Sequence, residues 1–421
     1  MGAPQQLRQD AKRTNSGKRR VPALSPLLLL FLPSSQRVAL ALIACCCHSA
    51  VHAKGSWTAG VAYTGEVWSV VSGGLGDDMR SLANLDLTFE ADLEDAIGWT
   101  GATVFAYGLY NNDSSISELA GDVQTVSNIE TGVETFRLYE AWLEQRVGEK
   151  ASIKIGLYDL NSEFDALETA GLFINSAHGI GSDIGLTGEN GPSIFPVTSL
   201  GARLEYGFAS DWAVRLAVLD GVPGDPDRPK RTAVRFGDGD GALIAAEVEA
   251  PMPHGRVLLG HWRYTSEFEQ LDGEMDDGNL GVYLRAERRL WSEPGTGELN
   301  AGEPNAGKQG LAGFARAGWS KGDINPYNVF LGGGLVYTGV FDRRPDDRLG
   351  LAVAAAFSSR RFRSLAEVER AEVNVEVTYH LPLTDFFALQ PNVQYIVNPS
   401  ADPALKNALA VGLRAEIGLE F

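Results

Sequence analysis

The chain ends with the stretch LAVGLRAEIGLEF at residues 409–421. Its alternate residues from Leu409 to Phe421 are apolar, whereas the residues between them include Arg414 and Glu416. A period of two that holds for 13 residues indicates a β-strand with one apolar and one polar face. Strands of soluble sheets are usually shorter, whereas a tilted strand that crosses a bilayer needs about 9–11 residues. The stretch therefore predicts a transmembrane strand with its apolar face toward lipid and its polar face toward water inside a barrel.

The final residue of this strand adds a second signal. A terminal aromatic residue on such a strand resembles the signal that marks bacterial outer-membrane barrels for assembly, and Phe421 occupies that position. We therefore predict that the barrel-assembly machinery contacts the strand ending in Phe421, and that outer-membrane lipid surrounds the protein.

The first 53 residues have the pattern of an export signal. Five basic residues lie between Lys12 and Arg20, and the apolar run 38–47 follows them. Compact residues precede a cleavage point after Ala53. We predict a signal peptide at residues 1–53, and a single mature domain, the barrel, at residues 54–421.

Two other interpretations of this N-terminal segment stay open. A signal-anchor helix is disfavoured because Pro33 and Arg37 interrupt the apolar run before it reaches the roughly 20 residues that a membrane span needs. The sequence Leu42-Ile43-Ala44-Cys45 resembles a lipoprotein cleavage site, although an integral barrel needs no lipid anchor. The segment is also long for a signal, so the true start of translation could lie downstream of Met1.

Composition excludes several classes of function. The chain has 36 Lys and Arg and 54 Asp and Glu; the first 53 residues hold seven and one of them, so 29 and 53 remain and the mature net charge is −24. Such an acidic chain lacks the basic surface that nucleic-acid binding requires. All three cysteines lie at residues 45–47, which excludes disulfides and cysteine-bound metals in the mature chain.

The mature sequence contains about sixteen candidate strands, the even number that bacterial barrels have. The short and long connections between them alternate, as periplasmic turns and external loops do, except that the long segment 291–310 falls on the short-turn side. The predicted fold is thus all-β, a transmembrane antiparallel β-barrel of about 16 strands. The predicted strands are residues 58–71, 81–93, 99–111, 134–147, 151–159, 197–208, 211–220, 242–250, 255–266, 279–290, 311–319, 330–340, 349–358, 371–381, 386–397 and 407–421.

Strand faces and strand ends support the same fold. In the strand 81–93, Leu85, Leu87 and Phe89 alternate with polar residues, whereas the alternation in 134–147 is ambiguous. Aromatic residues recur near strand ends, as in the interfacial girdles of membrane barrels. These aromatic residues are Trp57, Trp99, Tyr206, Trp212, Trp291, Trp319 and Phe421.

Several long motifs resemble those of one family. They are LYEAWLEQ at 138–145, KIGLYDLNSEFD at 154–165, ETAGLFINS at 168–176, GENGPSIFPVTSLG at 188–201, AVLDGVPGDP at 217–226 and LQPNVQYIVNP at 389–399. In this order they resemble the carbohydrate-selective porins of the OprB family. The resemblance implies a sixteen-stranded outer-membrane barrel that lets small carbohydrates diffuse down their gradient, and we expect glucose-type monosaccharides to be among them. It leaves open which sugar is preferred and whether the pore is instead a general non-selective diffusion porin. It also leaves open whether the protein forms a homo-oligomer.

A passive pore selects solutes by its width, its lining groups and its fixed charge, with no catalytic residue and no cofactor. Charged side chains on the inward faces of the strands are therefore the candidates for contact with sugars, each with a solvated charge or a structural ion pair as the alternative. These pore-lining candidates are Asp86, Glu90, Arg203, Glu205, Arg215, Arg263, Arg285, Glu287, Arg414 and Glu416.

The connection 160–196 is too long to be an idle loop. It contains apolar residues that need burial, including Phe164, Phe173 and Phe195. The barrel interior offers that burial, so we predict that this loop folds inward and narrows the pore.

Three further interpretations compete with a pore. An outer-membrane enzyme is disfavoured because Ser176 and His178 lie in a glycine-rich loop with no third catalytic partner apparent. Calcium binding by the acidic stretches 238–241 and 272–277 is disfavoured because neither has the spacing of an EF-hand, and no metal is predicted. A soluble secreted β protein would explain the export signal but not the outward apolar faces.

Overall fold

A computed structural model describes residues 56–208, 211–294 and 309–421, which form a closed antiparallel barrel of sixteen strands and one separate hairpin. The predicted signal peptide lies outside the described residues. The strands are β1 Trp57–Ser72, β2 Met79–Asp92, β3 Ala102–Asn111, β4 Thr135–Val147, β5 Ala151–Tyr158, β6 Ser199–Gly207, β7 Ala213–Asp220, β8 Ala242–Met252, β9 Gly255–Tyr264, β10 Glu267–Glu269, β11 Met275–Asp277, β12 Leu280–Ser292, β13 Gly310–Ser320, β14 Tyr327–Thr338, β15 Arg348–Ser358, β16 Ala371–Thr384, β17 Phe387–Val397 and β18 Ala408–Glu420.

Each barrel strand pairs with its sequence neighbours, and β12 pairs with β9 because the hairpin of β10 and β11 stands apart. The ring is closed by β1 and β18, whose register runs from Gly60 opposite Glu420 to Ser72 opposite Leu409. Every predicted strand corresponds to one barrel strand, with ends that agree within three residues. The prediction of a sixteen-stranded barrel is therefore confirmed.

Short helices occupy only the connections. The α-helices are Leu93–Ile97, Ser117–Ala120, Ser182–Gly185 and Arg360–Leu365, and the 3₁₀ turns are Leu160–Ser162, Ala170–Leu172, Ser176–His178 and Pro399–Ala401. Within the described residues, no helix has both the length and the apolar character needed to cross a membrane.

The barrel is apolar outside and polar inside. On β18, the outward Leu413 is 47% exposed, whereas the inward Arg414 is 7% exposed. The same contrast holds on β16, where Val377 is exposed and Glu376 is fully buried. A soluble sandwich buries its apolar faces, whereas the apolar outside and polar inside seen here are the distribution of a transmembrane barrel.

The tryptophans predicted to form interfacial girdles, together with Tyr206, are all exposed. The long connection between β12 and β13 joins strand ends on the same side as the short turns, because the strand count does not slip. The ends Ser292 of β12 and Gly310 of β13 thus lie on the side of the two termini, where Phe421 and Ala59 exchange backbone hydrogen bonds at 2.9 and 3.2 Å.

A β-bulge explains the ambiguous pattern of β4. The register of β3 on β4 shifts so that Tyr107 faces Glu140 while Gly108 faces Leu138, which leaves Tyr139 without an opposite residue. Both Tyr139 and Glu140 are consequently buried. The inserted residue reverses the alternation within the strand, so neither face reads as apolar throughout.

The closing pair of strands offers a stability test. Gly412 lies directly opposite Trp68, and a Cβ atom at this position would overlap the buried indole ring. We expect Gly412→Ala to destabilise the barrel by about 1–3 kcal/mol through overpacking. The measurement is the temperature at which the folded, fast-migrating band disappears in a detergent gel.

Gly207→Ala is the matched control, because a Cβ there would lie 3.7 Å from its nearest neighbour, the Lys150 carbonyl oxygen. Equal transition temperatures for both variants would contradict this account of the closure.

Candidate functional site

The connection between β5 and β6, residues 159–198, lies inside the barrel; we call it the long inner loop. Side chains of several wall strands bind its backbone, so it follows the inner wall. Carboxylate acceptors give these bonds extra strength because they are ionic as well as directional. The bonds join Glu247 to the Asp165 amide at 2.9 Å, Glu287 to the Thr169 amide at 2.7 Å, Glu376 to the Ile174 and Asn175 amides at 2.7 and 3.0 Å, and Gln390 to the Leu172 carbonyl at 2.7 Å.

A buried ion cluster fixes the first turn of this loop. Asp165 accepts hydrogen bonds from Arg285 on β12, with Nη2 to Oδ2 at 2.9 Å, and from Arg316 on β13. Arg316 also donates to the Asp165 carbonyl at 2.7 Å, and Arg285 reaches Asp183 at 3.3 Å. Burial alone would raise the pKa of Asp165, but the two arginines outweigh burial and lower it. The carboxylate therefore stays ionised and tied to both strands.

Apolar packing covers the underside of the long inner loop. Leu172 and Phe173 pack with Phe314 and Val336 of the wall, and a Cβ at Gly350 would collide with both loop residues. The loop thus lies against the wall where the inward side chains are small or apolar.

A second connection, residues 112–134 between β3 and β4, also turns inward; we call it the short inner loop. Glu372 on β16 accepts hydrogen bonds from the Val123 and Gln124 amides at 2.9 and 3.1 Å. Glu66 on β1 accepts one from the Ser127 hydroxyl at 2.7 Å. The short inner loop therefore lies against β16 and β1 of the inner wall.

The two inner loops join where they meet. The Asn128 amide donates to the Ile174 carbonyl at 2.9 Å, and the Ser176 amide donates to the Thr125 carbonyl at 3.0 Å. The two joined loops line the inner wall of the barrel as one unit, which we call the collar. The predicted inward fold of residues 160–196 is confirmed, whereas the short inner loop was missed. Its length and its apolar residues Ile116, Val126 and Ile129, all buried in one cluster, were the available signal.

Most of the predicted pore-lining residues are held in contacts with the wall or the collar. Asp86 accepts hydrogen bonds from Tyr107 and Asn84, both at 2.6 Å, and Glu90 shares its face of β2. Contact of these residues with a solute stays a prediction. The candidates that form ion pairs are Arg203, Glu205, Arg215, Arg285, Glu287, Arg414 and Glu416.

The inward orientation predicted for Arg263 is wrong. Arg263 is exposed on the outer face of β9, whereas its neighbours Trp262 and Tyr264 are fully buried on the inner face. Those two aromatic side chains pack with Phe164 of the long inner loop. A loop-covered wall needs apolar inward residues, so the rule that apolar residues face lipid fails on this strand.

The three phenylalanines predicted for the constriction loop have different positions. Phe164 and Phe173 are buried between the loop and the wall. Phe195 is half-buried, with its ring edge-on to Tyr139 at 6.2 Å between centroids. Phe164 and Phe173 therefore anchor the collar rather than face the open lumen.

Wall charges form a row on adjacent strands. Glu144 on β4 lies opposite Lys154 on β5, which lies opposite Arg203 on β6. Glu163 of the long inner loop binds Lys154 at 2.6 Å and Arg203 Nε at 2.6 Å. Burial would raise the pKa of Glu163, but the charges of Lys154 and Arg203 outweigh it and lower that pKa well below its usual range.

The residues considered for catalysis or metal binding do not form such a site. His178 is fully buried between Phe173 and Phe314, and burial lowers its pKa to about 3. It is therefore neutral and inaccessible as a base for Ser176. Across residues 56–208, 211–294 and 309–421, no group of three or more His, Cys, Asp or Glu side chains is arranged to hold a metal ion.

Comparison with known proteins supports a channel. The chain is 25% identical to Porin B of Pseudomonas aeruginosa over 393 residues, which cover 84% of this chain and 86% of that protein. It is 23% identical to the putative porin QuiX of Acinetobacter baylyi over 384 residues, covering 82% and 84%. The structure of Pseudomonas putida OprB at high pH superposes with a TM-score of 0.73 and 21% identity, covering 91% and 96%. This last match bears on the fold alone.

The profile of the family described as carbohydrate-selective porin, OprB family, matches residues 76–419. That range includes β2 to β17 and nearly all of β18, together with the collar and its anchoring side chains. The chain therefore belongs to the carbohydrate-selective porin OprB family and is a channel of the outer membrane for the diffusion of sugars.

Proposed function

We propose that the collar sets the size limit of this channel and that glucose-type monosaccharides are its preferred solutes. The observation that carries the proposal is the series of wall contacts, from Glu247 on β8 to Glu66 on β1, which holds both inner loops in the lumen. Sugars have hydroxyl groups that donate hydrogen bonds to carboxylates, and several carboxylates line the described lumen. Transport through such a pore is passive diffusion. Its selectivity then depends on the width of the pore, its lining groups and its fixed charge.

The same proposal covers biogenesis. The protein is exported with its signal peptide cleaved after Ala53, and the barrel-assembly machinery binds the strand that ends in Phe421. Outer-membrane lipid then contacts the outward apolar faces, among them Leu413 on β18 and Leu351 on β15.

Liposome swelling tests the solute preference. Purified, refolded protein is placed in liposomes, and swelling is compared for glucose, a disaccharide and an amino acid close to glucose in size. We expect glucose to enter faster than its size alone predicts. Uptake ranked by size alone would instead support a general diffusion porin, and absence of swelling would contradict a channel.

Asp165→Asn tests the collar. It removes the carboxylate charge between Arg285 and Arg316, and breaking a buried ion pair of this kind typically costs about 3–5 kcal/mol. We expect the long inner loop to loosen, so that disaccharide swelling rises relative to glucose and single-channel conductance becomes larger or noisier.

Asp86→Asn is the matched control, because Asp86 is equally buried but its hydrogen-bond partners Tyr107 and Asn84 belong to the wall alone. A variant of Asp165 that conducts like the wild type would show that the ion cluster does not position the collar.

A further inference from the structure

We propose that Glu144, Glu163 and Glu205 make the channel discriminate by charge, so that neutral and cationic solutes pass and anionic sugars such as hexuronates are excluded. The proposal rests on sugar diffusion as the function and adds a charge filter to it. Arginines and glutamates are mixed along this wall, so the sign of the filter depends on which of them a solute can reach.

In the row of wall charges on β4, β5 and β6, the cations are more deeply buried than the carboxylates. The side chains of Lys154 and Arg203 are each 2% exposed, whereas those of Glu144 and Glu163 are 24% and 18% exposed. The Lys154 ammonium lies 4.2 Å from the centroid of the Trp142 ring, which keeps it flat against the wall. A solute passing this part of the wall therefore meets carboxylate oxygen.

Hydrogen bonds fix the orientation of these carboxylates. Arg203 binds Glu163 through Nε and Nη2 at 2.6 and 2.8 Å, and the same Nη2 reaches Glu144 at 2.8 Å. The Tyr158 hydroxyl donates to Glu163 at 2.6 Å. Such multidentate binding holds Glu163 ionised and stops it from rotating away from its position in the lumen.

The neighbouring group of wall charges, on β6, β7 and β8, carries an excess of negative charge. Arg215 pairs with Glu205, Glu247 and Glu249 at 2.7, 3.1 and 3.0 Å, so one cation faces three carboxylates. The most exposed of these side chains is Glu205 at 34%, against 15% for Arg215. Beyond it Arg256, 21% exposed, is held between Glu249 and the buried Glu287.

Exposed carboxylates in a confined lumen repel anions more strongly than they would in bulk water, because low-dielectric walls focus the field. A neutral sugar escapes this repulsion and can donate hydroxyl hydrogen bonds to the same oxygens. The geometry thus favours a neutral hexose over the hexuronate of equal size.

Ion selectivity in planar bilayers gives the first test. The reversal potential in a KCl gradient should show that wild-type protein prefers K⁺ to Cl⁻. We expect Glu144→Gln and Glu205→Gln each to lower the permeability ratio by about twofold or more. Glu149→Gln makes the same charge change on the exposed turn after β4 and should leave the ratio unchanged.

Glu163→Gln should act like Glu144→Gln, provided that a detergent gel shows the heat-modifiable folded band. Glu163 has three partners and its loss could prevent folding, so the milder Glu144 and Glu205 variants decide the test. A wild type without cation preference, or Glu144 and Glu205 variants that match Glu149→Gln, would overturn the proposal.

Liposome swelling with a neutral hexose and its hexuronate gives the second test. We expect the neutral sugar to enter faster in wild-type protein, and Glu205→Gln to narrow the difference. Equal rates for the two sugars would overturn the charge filter while leaving sugar diffusion intact. Failure of both sugars to enter would instead count against the proposed function itself.

Discussion

In a bilayer, backbone amides and carbonyls find no water, so each strand of a membrane barrel needs a partner on both sides. Here the pairing of β1 with β18 supplies the last missing strand partner and leaves no sheet edge within the ring. Trp68 packs against Gly412 across this closure and lies in the same apolar cluster as Ile174 of the long inner loop. The position of the collar therefore depends on the closure of the ring against which it packs.

The collar is held by charge as much as by packing. Glu247, Glu287 and Glu376 on the wall point at backbone amides of the long inner loop, and Glu372 does the same for the short inner loop. An irregular loop inside a barrel has amides without partners of its own, and a buried carboxylate needs donors. The loop amides and the wall carboxylates satisfy each other's need for a hydrogen-bond partner. This explains why acidic side chains are fully buried in the wall.

The sequence predicted strands well and pore-facing residues less well. Strand positions follow from a period of two, which is a local property, and the ends agree within three residues. The alternation also identified the inward face of β18, where Arg414 is buried. It failed at β4, where a bulge at Tyr139 inserts one residue, and at β9, where the loop-covered inner face is apolar and Arg263 points outward.

The sequence alone determined the all-β barrel, its number of strands and the inward fold of the long inner loop. Periodicity, turn residues and loop length are local properties that can be read directly from the sequence. Only the tertiary structure decided which lumen charges are hidden and which are exposed. Asp165 meets Arg285, and Ile174 meets Glu376, across 120 and 202 positions of sequence. No local pattern carries those pairings, since they arise only when the barrel has closed and the loops have folded against its inner wall.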